Sequence, residues 1–288
     1  MGFYPPAQLV YDAKRHGIEV RPADVTVSGW DCTLESEAVR LGLCLVSGLP
    51  QPAANRITAA RAESPFTSTQ DLALRAALYA GDLKALASAD ALAALSGHRR
   101  QQVWDASALK VAPPLFKAVP VEEDFLELPA ASEGEEVVFD YAATGLTLRR
   151  HPLAILRGKL SKMKLVKPLQ SSAQLHNLPS GRHVATCGIV TMRQQPQTAK
   201  GVVFVTLEDE TGNVNVIVWK ALRETQRAEL LQSRLMAVYG TWQRDDGSGN
   251  KDQTAQKGQG EVRHLIAKRL QDLTPLLGRL GTASRDFR

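Results

Sequence analysis

The stretch GVVFVTLEDETGNVNVIVW, residues 201–219, decides how the second half of the chain folds. Val203, Val205 and Leu207 alternate with Val202, Phe204 and Thr206, the two-residue period of a strand that buries one face. Glu208–Asn213 reads as a hairpin loop, with Gly212 free to take a positive φ. Working outward, HVATCGIVTMR (His183–Arg193) is strand-like and is followed by a polar loop, Gln194–Lys200. On the other side come a polar helix, then LMAVYGTWQR (Leu235–Arg244) and RHLIAKRL (Arg263–Leu270).

Five strands with one helix between the third and fourth is the order of a small OB-type barrel, which grips single-stranded nucleic acid or oligosaccharide. The ligand of such a barrel lies across its second and third strands, between two loops that here are Gln194–Lys200 and Arg244–Glu261. Stacking a base on an aromatic ring is worth about 1–3 kcal/mol, and cations along the groove hold the backbone. The candidates are Phe204, Trp219 and Trp242 for stacking, with Arg193, Lys200, Arg244 and Lys251 for phosphate. The competing reading puts two of the three aromatics in the barrel core. Glu208, Asp209 and Glu210 read as a solubilising loop in preference to a two-metal site.

Ahead of the barrel the pattern is mainly helical. Pro6 opens a helix that Gly17 stops, and Ile18–Val25 reads as a strand leading to a turn. This opening offers one helix and no partner layer, so it reads as completing a domain mostly absent from the chain, and the folding of residues 1–30 alone is doubtful. Ser47-Gly48-Leu49-Pro50 is a tight turn before the periodic helix of Ala53, Ala54, Ile57 and Ala60. A Gly-containing turn of this kind presents backbone N–H groups at a helix N-terminus, where they bind phosphate without reading a base. A plain turn between two packed helices accounts for it equally well. Thr67–Ser107 is helical throughout, with Asp71 and Asp82 as N-caps and an apolar stripe at Leu83, Leu86, Ala87, Leu92 and Leu95. Arg99 and Arg100, near Trp104, read either as a phosphate contact or as a solvated helix start. Ala112–Ser132 is a Pro-, Ala- and Glu-rich linker, whose PPLF (Pro113–Phe116) has the apolar character of a clamp-docking tail but lacks its Gln.

Composition narrows the classes. The chain has 288 residues, a hydrophobic fraction of 44% and a charged fraction of 23%, enough for one large domain or two to three small ones with buried cores. No run approaches the roughly 18 apolar residues of a membrane span. There is no signal-peptide pattern at the N-terminus, so the cytoplasm is the expected location. Cys32, Cys44 and Cys187 are scattered and never form C-x-x-C, which argues against a metal site. The formal charge of +5 leans toward a polyanionic partner. Its distribution says more: Val121–Asp140 holds eight acids and no Lys or Arg, and Tyr141–Gln170 holds seven Lys or Arg and no acid. The reversal reads as an acidic linker followed by a basic arm. No Ser/His/Asp ordering, P-loop or H-E-x-x-H is present.

Several stretches together carry a family resemblance. GFYPPAQLVYDAKRHGIEVRPADV, WDCTLE, VRLGL with VSGL, LSGHRRQQVW, DYAATGLTLRRHP, TAKGVVFVTLEDETGNVNVIVW, LQDLTPLLGRL and the closing SRDFR cover nearly the whole chain. In combination they resemble the C-terminal third of error-prone DNA polymerases of the bacterial C family, homologues of the replicative polymerase alpha subunit. The OB module alone would be weaker, since related ones occur in the replicative enzyme and in some tRNA synthetases. The resemblance implies an enzyme acting in damage-induced translesion synthesis and repair, with carboxylates and magnesium in a palm domain ahead of residue 1. None of those acids maps onto a position here, so the expectation is no catalytic residue, no cofactor and no nucleotide transfer in this chain alone. The expected partners are DNA, as duplex phosphates and single-stranded template, and an inactive Y-family polymerase homologue leading to the sliding clamp. No membrane partner is expected. Two departures are Pro50, where the hairpin usually carries a small or polar residue, and the lengthened Arg244–Glu261 loop.

The expected fold is therefore α+β and multidomain, a mainly helical helix-hairpin-helix module followed by a five-stranded OB-type β-barrel. The divisions are residues 1–35 as the end of a fingers-like domain, 36–111 as the tandem hairpin module and 112–138 as the acidic linker. Residues 139–180 form a helical basic connector, 181–280 the OB domain and 281–288 a tail. The expected DNA-binding residues are Gly48, Leu49, Arg99, Arg100, Arg193, Lys200, Phe204, Trp219, Trp242, Arg244 and Lys251. The rival readings are a protein-interaction scaffold and a free-standing binder of single-stranded nucleic acid.

Overall fold

The computed structural model describes residues 5–108, 127–196, 201–245, 262–280 and 285–286, in two units, Met1–Arg149 and Arg150–Arg288. The first begins with α1 (Pro6–Arg15), where proline occupies the first turn that needs no N–H from it. Three short strands follow, β1 (Glu19–Arg21), β2 (Thr33–Glu35) and β3 (Ala38–Arg40), with β3 in the middle, parallel to β1 and antiparallel to β2. Then come α2 (Gln51–Glu63), α3 (Thr69–Arg75), α4 (Ala80–Ser88), α5 (Ala93–Ser96), α6 (Arg99–Ala108) and α7 (Glu133–Thr144).

One core runs through all of this. Val10 of α1, Ala23 and Val25 belong to the same cluster as Leu43, Ile57, Leu72, Leu86 and Leu92, and so do Ala143 and Leu146. The opening helix has its partner layer after all, and residue 35 is not a packing boundary. Nor does α7 stand apart as a connector, because its apolar side completes this core. The carboxylates read as N-caps sit one turn in. Ser68 caps α3 by accepting from the Asp71 amide at 3.1 Å, while the Asp71 carboxylate reaches back to the Thr67 amide at 3.0 Å. Asp82 of α4 does the same to the Tyr79 amide at 3.1 Å, the backward half of a capping box.

The second unit starts with α8 (Pro152–Leu160) and α9 (Ser172–His176) and then builds the barrel from β4 (His183–Gln194), β5 (Val203–Asp209), β6 (Gly212–Val218), β7 (Leu235–Asp245) and β8 (Val262–Asp272). Strand order β5-β6-β8-β7-β4 closes through a β4–β5 pairing. β4 serves both neighbours because it bends. Its first half pairs with β7 and its second with β5, with an irregularity between Val190 and Met192. A second irregularity falls at Gly240 of β7, where a Cβ would stand 2.1 Å from the Ile266 carbonyl oxygen, so only glycine lets β8 pass. Val203, Val205 and Leu207 point inward as their alternation indicates, joined by Val214, Val216, Val218, Val238 and Leu265.

Between β6 and β7 the single expected helix is two, α10 (Lys220–Thr225) and α11 (Arg227–Gln232), broken at Gln226. The Gln226 amide explains the break: it donates to the Leu270 carbonyl at 2.9 Å and accepts from the Leu270 amide at 2.8 Å, fixing the pair to β8. Leu230 of α11 is fully buried in the barrel cluster. A last strand, β9 (Arg285–Asp286), runs parallel to β4 at Met192–Arg193. Among the described residues no helix is long and apolar enough to cross a membrane. PPLF (residues 113–116), most of the linker and residues 246–261 lie outside the described residues.

Candidate nucleic-acid interface

The outward face of β4, β5 and β6 is set by strand parity. Phe204 stands opposite Ile217 and next to Gln194, and Thr206 stands opposite Asn215 and next to Met192. Phe204 is 39% exposed, and Trp219, which continues the outward parity of Ile217 past the end of β6, is 53% exposed. Two exposed rings thus flank one rim of a surface on which Thr206, Asn215 and Gln194, groups that donate and accept hydrogen bonds without a charge, stand beside Ile217 and Met192. Large apolar rings left in water beside polar partners are what a base-stacking platform requires.

Cations the sequence reading did not single out adjoin this rim. Lys220 and Arg223 of α10 pack against Gly201, whose carbonyl accepts from Arg223 at 3.3 Å. Only the return of α10 onto the start of β5 brings them there, and a helical pattern by itself does not reveal that. Lys200, the residue before Gly201, and Lys251 lie outside the described residues. Arg244 sits elsewhere. It pairs with Arg263 near the start of β8, whose Leu265 is level with Val216, so Arg244 belongs toward the beginning of β6 and Trp219 beyond its finish.

Two expected contacts are withdrawn from that face. Trp242 is 1% exposed and fills the barrel, since β7 turns its even positions inward beside Met236 and Val238. Arg193 is 6% exposed; its guanidinium donates to the Leu230 carbonyl at 2.7 Å and to the Ser233 carbonyl. It closes the C-terminus of α11, where helix carbonyls lack partners and the dipole favours a cation. The acidic hairpin is also more than a solubilising loop. Asp209 is buried and accepts from the amides of Ser172 at 2.7 Å, Thr211 at 2.7 Å and Gly212 at 3.0 Å, with Arg157 at 3.2 Å. Arg157 also grips Glu210 at 2.7 Å, so this loop fastens α8 and α9 to the barrel.

In the first unit the hairpin turn is open. Gly48 takes φ 83° and is exposed, while Leu49 anchors the turn in the core and the Ser47 amide donates to the Ala143 carbonyl at 2.8 Å. Pro50 is the N-cap residue of α2, its carbonyl accepting from the Ala53 amide at 3.0 Å. The Gly48 and Gln51 amides meet no acceptor among the described residues.

The second turn is built alike, with Gly97 at φ 67° ahead of α6, but it is occupied. The His98 ring accepts from the Gln101 amide at 3.3 Å and meets the Leu128 carbonyl at 2.7 Å. Arg99 is 2% exposed and donates to Asp140 and, at 3.2 Å, to the Glu136 carbonyl. It shares Asp90, Glu136 and Asp140 with Arg149, which lies 3.0, 3.1 and 3.2 Å from them. Burial holds the Glu136 carboxyl above its ordinary range despite both guanidinium groups. A buried cation already shared among three carboxylates is not a phosphate contact, and Arg99 is reassigned as the tie between α6 and α7. Arg100 remains partly exposed and faces Glu135 at 3.3 Å.

Comparison with known proteins agrees with this division. A helix-hairpin-helix motif family matches residues 17–102, and an OB-fold nucleic acid binding domain family matches residues 184–273. The error-prone DNA polymerase of Azoarcus sp. (strain BH72) is 50% identical over 297 aligned residues, covering 100% of this chain and 26% of that protein. That of Ralstonia pickettii (strain 12J) is 48% identical over 304 aligned residues, again covering 100% of this chain and 26% of the relative. The chain thus spans about a quarter of the length of these curated relatives. Among solved structures, an asparaginyl-tRNA synthetase from Pyrococcus horikoshii aligns at 18% identity and a TM-score of 0.29, over 38% of this chain and 23% of that one.

Proposed function

Along its whole length the chain is similar to a C-terminal part of error-prone DNA polymerases and consists of a helix-hairpin-helix domain followed by an OB-fold domain, and we propose that it is the DNA-holding part of such a polymerase. The open turn at Ser47–Pro50 takes a duplex phosphate on the Gly48 and Gln51 amides, at the positive end of α2. The outward face of β4–β6 takes the single-stranded template, with Phe204 and Trp219 stacking bases and Lys200, Lys220 and Arg223 along the backbone. On this reading the contacts are sequence-tolerant, since amides and rings read no base. Polymerisation past damaged bases, with magnesium, belongs to the whole enzyme, and this chain supplies binding rather than nucleotide transfer. Contact with an inactive Y-family homologue, and through it with the clamp, belongs to the same assembly.

The observation that carries the proposal is the pair of exposed rings, Phe204 and Trp219, at the edge of a sheet whose alternate positions Val203, Val205, Leu207, Val214, Val216 and Val218 fill the barrel core. Titration of the chain with a labelled single-stranded oligonucleotide at several salt concentrations tests it. Affinity should fall linearly with the logarithm of salt, as counterion release from neutralised phosphates requires. Absent or salt-independent binding would overturn the proposal.

A further inference from the structure

Cys32 and Cys44 are twelve positions apart in the sequence, yet the backbone brings them together. Ahead of β2, the Gly29 and Trp30 carbonyls accept from the amides of Leu43 and Cys44, each at 2.9 Å. The Gly42 amide donates to the Cys32 sulfur at 3.3 Å. A Cβ at position 42 would lie 2.3 Å from the Trp30 carbonyl oxygen, so glycine is what lets the two segments close to this distance. Both cysteines are exposed, and the Cys32 sulfur sits against the backbone amide two residues ahead of Cys44. Nothing in the proposed DNA-binding role uses them.

We propose that Cys32 and Cys44 are a dithiol pair that hydrogen peroxide converts to an intrachain disulfide. The Cys32 sulfur attacks the peroxide O–O bond and takes one oxygen as a sulfenic acid; the other oxygen leaves as water with the thiol proton. The Cys44 sulfur then displaces that oxygen, the S–S bond forms, and the second water carries away the Cys44 proton. Two thiols lose two electrons and two protons, and the peroxide is reduced to two waters. The neighbouring thiol is what selects this outcome, because a sulfenic acid with a second thiol in reach condenses before it is oxidised further. The bond ties the turn before β2 to the segment that leads into Ser47–Pro50, enclosing β2 and β3 between its ends.

The test uses the whole chain, reduced, treated with hydrogen peroxide, and alkylated after denaturation. The expected product is a monomer lighter by two hydrogens with one alkylated cysteine, Cys187, and tryptic peptides His16–Arg40 and Leu41–Arg56 joined until reduced. Cys32→Ser and Cys44→Ser should each abolish the mass loss and leave oxygen adducts on the remaining thiol. Phenylarsine oxide gives a second reading without oxidation: one arsenic per reduced chain, bridging both sulfurs, and none retained by either variant after dilution. Independent oxygen adducts on Cys32 and Cys44 in the unsubstituted chain would overturn the proposal. So would links only between chains, or failure to retain the arsenical.

Discussion

Replacing Arg99 by Ala separates its two readings. If Arg99 is the tie between α6 and α7, the change removes a 2%-exposed guanidinium and leaves Asp90, Glu136 and Asp140 with Arg149 as their remaining guanidinium partner. Removing one partner from a buried ion cluster costs about 3–5 kcal/mol, because the groups left behind stay out of water without compensation. At about 2–4 °C per kcal/mol for a unit of this size, the thermal midpoint of the first unit should fall by roughly 6–20 °C. Circular dichroism during heating measures this, with the barrel serving as the internal reference. The pH dependence adds a signed check. Glu136 binds its proton more tightly folded than unfolded, so its burial weakens folding above its folded pKa and that penalty is relieved as pH falls through it. Losing Arg99 strengthens this preference, so the deficit of the variant should shrink as pH is lowered from neutrality toward the carboxylate range. Arg99→Lys should recover only part of the stability, since an ammonium cannot span several carboxylates as the planar fork does. A midpoint unchanged within about 2 °C, together with weaker duplex binding, would refute the reasoning and restore Arg99 as a phosphate contact.

Gly240→Ala should destabilise the barrel by about 1–3 kcal/mol or more, since the added carbon collides with the Ile266 backbone and not with a side chain that can swing away; urea unfolding followed by Trp fluorescence measures it. Burial pushes the Cys187 thiol up to about 12. In the reduced native chain a disulfide reagent at mildly alkaline pH should therefore modify Cys32 and Cys44 and reach Cys187 only on denaturation. The same shift implies that folding weakens as pH rises past the ordinary thiol range, because the unfolded thiol ionises first.

The barrel was legible because β5 and β6 bury one face only, and alternation at Val203, Val205 and Leu207 reports that directly. Trp242 was not, because β7 is buried on both sides: Leu235 and Ala237 are as inaccessible as Met236 and Val238, so the strand carries no alternation to read. Arg193 and Arg99 were misplaced for a shared reason. Their partners are the end of α11 and the carboxylates of α7, separated from them by tens of residues, and a cation in a polar stretch looks solvated until those arrive. The acid-to-base reversal near Asp140 looked like a linker meeting an arm. In fact Glu136, Asp140 and Arg149 come from both sides of it and neutralise one another. Burial of Val10 likewise depends on residues far along the chain, which a helix read alone cannot show.

The central claim is that the β4–β6 face holds single strands while the hairpin turn holds duplex. Fluorescence anisotropy with a single-stranded oligonucleotide and with a blunt duplex, on Phe204→Ala/Trp219→Ala, tests it most directly. At about 1–3 kcal/mol per stacked base, the double substitution should weaken single-strand binding by roughly 30-fold or more and leave duplex affinity within about twofold. Unchanged single-strand affinity, or an equal loss for both ligands, would contradict it.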